Sequence, residues 1–268
     1  MNFSELITIG DETFPTVTVV GMVQGNDLYG SRVLGELQKI NTIRHGKLQI
    51  LYAHLPAAHA GKRQIKIDLN RSFPGREHGM LEHRIAYQLR DTLRKSHVVI
   101  DIHTSDEEHQ PYVLLTTSET TAEVAASYAH SDISIMDRRI ADLGQVGEIA
   151  SCTGISQRIV LPSALSAGSS VVDYVNSHGN GYGILLQVGS FRGRSAIEIA
   201  TDAVHTFLKA HYLLEGVPSQ ADTPEVYLGQ DFTATRGKLE KVSPGELTTA
   251  YCPSFQEEKP FLKVKRMS

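Results

Sequence analysis

The sequence predicts an α/β domain built on a mixed central sheet flanked by helices. Apolar β-prone runs recur along the chain, and helical stretches fill the gaps between them. The runs are continuously apolar rather than alternating, as expected of strands covered by helices on both faces. With 268 residues there is room for one large core and a small addition.

The first strand is TVTVVGM at 16–22, which breaks at Gly, Gln and Asn and resumes as a helix at about 27–39. LQILYA at 48–53 is the second strand. A helix is predicted over 77–95, where Leu81, Ile85, Leu89 and Leu93 repeat while Glu82, Arg84, Arg90 and Asp91 fall elsewhere. HVVIDI at 97–102 and PYVLLT at 111–116 are strands, and further helices are predicted at 119–129 and 168–177. YGILLQV at 182–188 is the last strand of the domain, followed by a helix over 195–214. The Gly/Pro/polar stretch LEGVPSQADTP marks a boundary, so 1–218 is expected to form the α/β domain and 219–268 a small β-rich C-terminal region.

Composition excludes several functions. A net charge of −4, with 41% hydrophobic and 21% charged residues, gives no electrostatic footprint for nucleic acid or an anionic membrane. The basic end KVKRMS reads as a solvated tail. No apolar stretch is long enough to cross a bilayer and the N-terminus lacks signal-peptide character, so a cytoplasmic location is expected. Cys152 and Cys252 are too few for a disulfide framework or a thiolate zinc site, and any metal must be held by imidazole, carboxylate or amide oxygen. The glycines of GQVGEIAS and GSFRGR have neither P-loop nor dinucleotide spacing.

In open α/β sheets, binding groups gather at the carboxyl ends of the strands. That rule selects Gln24 and Asp27 after the first strand, Asp101 and His103 at the end of HVVIDI, and Gln187 at the end of YGILLQV. The densest polar motif is GKRQIKIDLNRSFPG at 61–75, which crowds Arg63, Asp68, Asn70 and Arg71 before a Phe-Pro-Gly turn. Arg71 offers a planar fork suited to a carboxylate, and Asn70 both donates and accepts.

DLNRSFPG, preceded by Arg63 and followed after a helix by VVIDIHTS, resembles the succinylglutamate desuccinylase/aspartoacylase family, a branch of the zinc carboxypeptidase superfamily. The resemblance runs from about 16 to 215 and implies a zinc-carboxypeptidase-like fold and a metal-dependent amide hydrolase. In that family a Gly-x-His-Gly-Asn-Glu stretch and a later Asp-Leu-His supply the zinc ligands, and a Glu-x-Gly strand end activates water. The resemblance implies His103 as the third metal ligand, Asn70 and Arg71 as a clamp for the substrate carboxylate, and Arg63 as the group that polarises the scissile carbonyl.

Three positions depart from the family. Gln24 and Asp27 stand where its first His and Glu belong, and Gln187 stands where its catalytic Glu belongs. Gln24, Asp27 and His103 still offer two neutral donors and one carboxylate to a divalent metal, zinc in the family, although amide oxygen suits zinc less well than imidazole. The alternative is a hydrogen-bonded polar turn. Asp101 shares a strand face with His103 and is expected to orient its ring.

Gln187 cannot accept a proton from water at neutral pH, which leaves two functions open. One is a hydrolase of an N-acyl amino acid or small carboxylate-bearing amide, helped by another carboxylate such as Asp106, Glu107 or Glu108. The other is a catalytically impaired relative that binds a carboxylate ligand in a regulatory role. His54 and His59 are minor candidates, and Tyr182, Tyr227 and Tyr251 read as core or surface aromatics. The expected partner is a small molecule with a free carboxylate, with no nucleic acid or membrane partner and with room for a homo-oligomer.

Overall fold

The computed structural model describes residues 2–11, 14–117, 152–162, 170–219, 225–234, 247–250 and 260–266. The described strands are β1 (Glu5–Gly10), β2 (Thr16–Gly21), β3 (Lys47–Tyr52), β4 (Val98–Glu108), β5 (Tyr112–Thr117), β6 (Gln157–Pro162), β7 (Tyr182–Ser190), β8 (Glu225–Ala234), β9 (Leu247–Ala250) and β10 (Pro260–Arg266). They join in one mixed sheet of order β1-β3-β2-β4-β7-β5-β6-β8-β10-β9. The helices are α1 (Leu28–Leu37), α2 (Leu55–His59), α3 (Leu81–Lys95), α4 (Val171–His178) and α5 (Ala196–Ala210), with a 3-10 turn at Leu69–Arg71.

The central strands β3, β2, β4 and β7 are parallel, and their apolar runs are buried on both faces. On one face Val19, Ile100, Ile102 and Leu186 pack with α1 residues Val33, Leu34 and Leu37 and α5 residues Val204 and Phe207. On the other, Val20, Leu51 and Val99 pack with Ile85 and Leu89 of α3 and Val171 and Val175 of α4. Apolar burial on this scale, roughly 25 cal/mol per Å², is the main force that holds the layers together.

The chain leaves β2 through α1 to β3 on one side, then crosses by way of α3 to β4 on the other side of β2. The strand order therefore reverses at β2, and the carboxyl ends of β2 and β4 open on a crevice at that switch point.

The five predicted strands and four of the five predicted helices are present; the helix placed at 119–129 lies outside the described residues. Helix α3 begins at Leu81 rather than at 77, because Met80 caps it in an extended conformation. Helix α5 stops at Ala210, and Tyr212 then turns with φ 60°. Strand β4 runs on to Glu108, with its register against β7 slipping between Thr104 and Glu108. β1 is an antiparallel edge strand, mostly polar or exposed, and it was not foreseen. The C-terminal strands continue the same sheet, β8 pairing parallel with β6 and β10 antiparallel with β8.

One expectation about α3 is corrected. Glu82 does not fall on the solvent side of the helix; it is fully buried. It lies three, four and seven residues before Ile85, Ala86 and Leu89, so it shares their inward face.

Candidate functional site

After β2 the backbone turns sharply at Met22, whose φ of 57° lies in the left-handed region. Gly25 then passes so close to α2 that an added Cβ would stand 2.4 Å from the Ala57 carbonyl carbon, so only glycine fits. Its N–H donates to the Arg63 carbonyl at 3.0 Å, which ties the loop carrying Gln24 and Asp27 to the segment carrying Arg63. Gln24 itself is partly exposed.

Asp27 is the N-cap of α1: its Oδ1 accepts from Gly30 N–H at 2.8 Å. Thr104 adds two more bonds, from its N–H to Oδ2 at 3.2 Å and from its hydroxyl to Oδ1. Burial raises the Asp27 pKa above the usual carboxylate value, although the Thr104 and Gly30 bonds and the His103 charge oppose the rise.

His103 lies in β4, 4% exposed, and its Nε2 meets Asp101 Oδ2 at 3.1 Å. Burial disfavours its charged form, yet the charge and hydrogen bond of Asp101 and the charge of Asp27 raise its pKa overall. The neighbouring Arg63 guanidinium acts in the opposite direction. His103 is paired in register with Gln187 of β7, so both side chains lie on the sheet face that carries α3 and α4. Gln187 is 1% exposed and is paired on its other side with Tyr112 of β5.

The Arg63–Arg71 segment is held by two carboxylates. Arg63 Nη2 donates to Asp68 Oδ2 at 2.9 Å, and the same carboxylate caps the 3-10 turn through Asn70 N–H at 2.8 Å. Burial would raise the Asp68 pKa, but Arg63 and Arg71 bring it below the usual value. Glu82 Oε1 accepts from Ile65 N–H at 2.8 Å and Lys66 N–H at 2.9 Å, and meets His54 Nε2 at 3.2 Å.

His54 is itself the N-cap of α2, its Nδ1 facing Ala57 N–H. That contact makes Nδ1 an acceptor and Nε2–H the donor to Glu82. His54 is thus a buried neutral prop rather than a binding group, and burial duly lowers its pKa. His59 ends the short helix α2.

Asn70 is buried, and its Oδ1 accepts from Val171 N–H, at the first turn of α4, at 2.9 Å. The amide oxygen being so used, Nδ2 is the donor left to face a ligand. Arg71 Nη1 donates to the Asn70 carbonyl at 2.7 Å, which sets the fork of the guanidinium beside that amide.

Among the described residues no three His, Cys, Asp or Glu side chains come together as a metal cage. An ion between Asp27 and His103 therefore needs the Gln24 amide as its third donor. Two features suit a cation there. The Asp101 bond to Nε2 leaves Nδ1 as the nitrogen of His103 able to ligate, and the Asp101 and Asp27 carboxylates put negative charge beside that ring. Asp27 keeps an acceptor position on Oδ2, which takes one hydrogen bond against two on Oδ1. Asp27, His103 and the Gln24 amide offer one carboxylate and two neutral donors, which is the kind of set a divalent ion would need, with Asp27 also capping α1.

Of the acidic run after His103, Glu107 and Glu108 are exposed, as a solvated strand end would be. Tyr182 is half-buried against the core. The side chains of Asp106 and Tyr227, and all of Tyr251, lie outside the described residues. Glu82 and Thr104 were missed as positioning groups. The inward spacing of Glu82 in α3 was the available signal; for Thr104, whose partner is far away in the chain, there was none.

Residues 13–140 match the succinylglutamate desuccinylase/aspartoacylase catalytic domain. No curated protein matches the chain. Among solved structures it is similar to a succinylglutamate desuccinylase/aspartoacylase from Rhodobacter sphaeroides, at 18% identity over 97% of this chain and 81% of that one, with a TM-score of 0.67. The product-bound ectoine utilization protein EutE from Ruegeria pomeroyi is 21% identical over 98% of this chain and 80% of its own, with a TM-score of 0.66. The succinylglutamate desuccinylase from Chromobacterium violaceum is 13% identical over 96% and 86%, with a TM-score of 0.63. Residues 13–140 thus match the catalytic domain of the succinylglutamate desuccinylase/aspartoacylase family, a family of hydrolases, and the fold is similar to that of solved proteins so named.

Proposed function

We propose that the protein hydrolyses the amide bond of an N-acyl amino acid, or of a similar small amide with a free carboxylate, and that it does so with a divalent metal, zinc in the first instance. The observation that carries this reading is the convergence of Asp27, His103 and Arg63. They come from three separate segments, and the charges of Asp27 and Arg63 both act on the His103 ring.

Gln24, Asp27 and His103 would hold the ion, which would supply Lewis-acid polarisation of the scissile amide. The protein's own groups do the rest. Asn70 Nδ2 and the Arg71 fork bind the substrate carboxylate, and Arg71 is steadied from behind by its bond to the Asn70 carbonyl. Arg63, aimed by Asp68, donates to the carbonyl oxygen as negative charge develops on it. Gln187 lines the same face beside His103 and, as an amide, takes no proton.

That last point favours a second reading, a carboxylate-binding relative without turnover. Metal analysis of the purified protein, with a screen of N-acetyl and N-succinyl amino acids against wild type and Gln187→Glu, decides between them. Stoichiometric metal and turnover by wild type are expected. Turnover by Gln187→Glu alone would favour the binding relative, and absence of both metal and turnover would end the hydrolase reading.

A further inference from the structure

Gln187 is an amide and takes no proton, but a different titratable group lies over the same sheet face. His109 lies on the short link between β4 and β5 and is 9% exposed. Its backbone N–H donates to the Ser190 carbonyl at 3.0 Å, which anchors it at the end of β7. Its ring covers Gly189: a Cβ on that glycine would lie 2.5 Å from Cδ2 and 2.6 Å from Nε2.

Gly189 and Gln187 are two residues apart on one strand, so they look out on the same face. Tyr112 agrees with this placement. It is paired with Gln187 in the antiparallel β5–β7 ladder, and its ring centroid is 6.2 Å from that of His109. The absence of a side chain at Gly189 is what lets the imidazole settle there.

The tautomer follows from the hydrogen bonds. Nδ1 lies 3.0 Å from the Gln110 carbonyl, which can only accept, so Nδ1 carries the proton and Nε2 the lone pair. Among the described residues that buried Nε2 has no hydrogen-bond partner. A buried lone pair without a donor costs roughly 1–3 kcal/mol, so its retention calls for an explanation.

We propose that His109 is the general base of this site, taking through Nε2 the proton that the Gln187 amide cannot accept. The inference rests on the hydrolase reading above and completes it. Water adds its oxygen to the amide carbonyl carbon and gives a proton to Nε2. The carbon–nitrogen bond then breaks, the proton passes to the leaving nitrogen, and the products are a free amine and a carboxylic acid, with His109 neutral again.

The ring's surroundings suit the task. Burial lowers its pKa below the usual imidazole value, against the Gln110 carbonyl and the Glu107 carboxylate, so the neutral, accepting form prevails at neutral pH. Among the described residues Tyr112, in ring contact, is the other titratable group beside it.

The test is the pH–rate profile of the metal-loaded full chain on N-acyl amino acids, for wild type, Gln187→Glu, His109→Gln and the double variant His109→Gln/Gln187→Glu. Wild-type kcat is expected to rise with pH through a value below about 6.5 and then level. His109→Gln should lose about 10²- to 10⁴-fold in kcat, with KM little changed and that limb absent. The double variant should recover turnover with a carboxylate-like profile.

Active wild type with full activity in His109→Gln would overturn the inference and leave the hydrolase reading standing. Inert wild type beside active Gln187→Glu would overturn both. If His109→Gln does not fold, nitrogen NMR of the wild-type ring serves instead. An unprotonated Nε2 that titrates with the kinetic limb supports the inference, and a protonated Nε2 or a mismatched titration overturns it.

Discussion

Asp101 Oδ2 stands 3.1 Å from His103 Nε2 on the same strand face, both side chains buried. The pair fixes which imidazole nitrogen can face a ligand and lends the ring negative support. Replacing Asp101 by Asn keeps the shape and removes the charge. On the metal reading, affinity for zinc should fall about 10- to 100-fold, measured by competition with a chromogenic chelator. Unchanged affinity in Asp101→Asn would show that no ion sits on His103.

The bond between Asn70 Oδ1 and Val171 N–H joins the DLNR turn to the first turn of α4, so the amide oxygen serves the fold and Nδ2 is the atom that would meet a carboxylate under the proposed function. Asn70→Asp keeps the acceptor and turns the donor into a second acceptor that repels a carboxylate. Its stability should lie within about 1 kcal/mol of wild type, while KM for an N-acyl amino acid rises at least tenfold. Asn70→Ala strands a buried N–H and should lose about 1–3 kcal/mol as well. Equal KM in wild type and Asn70→Asp would remove Asn70 from the substrate clamp.

Glu82 accepts from two consecutive backbone amides with a single oxygen and meets His54 with the same atom. Glu82→Leu would leave Ile65 N–H, Lys66 N–H and His54 Nε2 without their acceptor. A loss of about 3–5 kcal/mol in urea unfolding is expected, as for other buried charged partners removed singly. Hydrogen exchange at Ile65 and Lys66 should speed up in the less drastic Glu82→Gln. If those two amides exchange at the wild-type rate, Glu82 is not what holds the Arg63 segment.

Much of this arrangement is legible in the sequence because the parallel strands are apolar on both faces and end in polar residues where the helices cannot cover them. That rule alone selects Gln24, Asp27, His103 and Gln187, which do lie in or just after β2, β4 and β7, and the DLNR turn stands out by its density of polar groups. What escapes is tertiary. Glu82 looks like an ordinary helical acid until its spacing from Ile85 and Ala86 is weighed against the residues that need acceptors across the interface. His109 is ordinary in composition and acquires meaning only when the β4–β5 link folds it over Gly189. β1 is short and largely exposed at the sheet edge, and its ladder with β3 is what makes it a strand.

The neutral, buried His54 should leave a signature in the pH dependence of stability. Its folded-state pKa is lowered, chiefly by burial, with the hydrogen bond and charge of Glu82 and the charge of Asp68 opposing. A histidine with a depressed folded pKa is protonated more readily in the unfolded chain. Its stabilising contribution is therefore complete above the ordinary imidazole value of about 6.5 and is lost as the pH falls through the lower, folded value. Glu82, whose own pKa is held low by the Lys66 and Ile65 amides despite its burial, stays charged across this window and adds no slope there. Thermal unfolding of wild type from pH 7.5 down to 5 should show a steeper loss of Tm than the same series for His54→Gln, which has no proton to take up at that position. Parallel curves for the two proteins would mean that His54 is not held neutral by its place under α2.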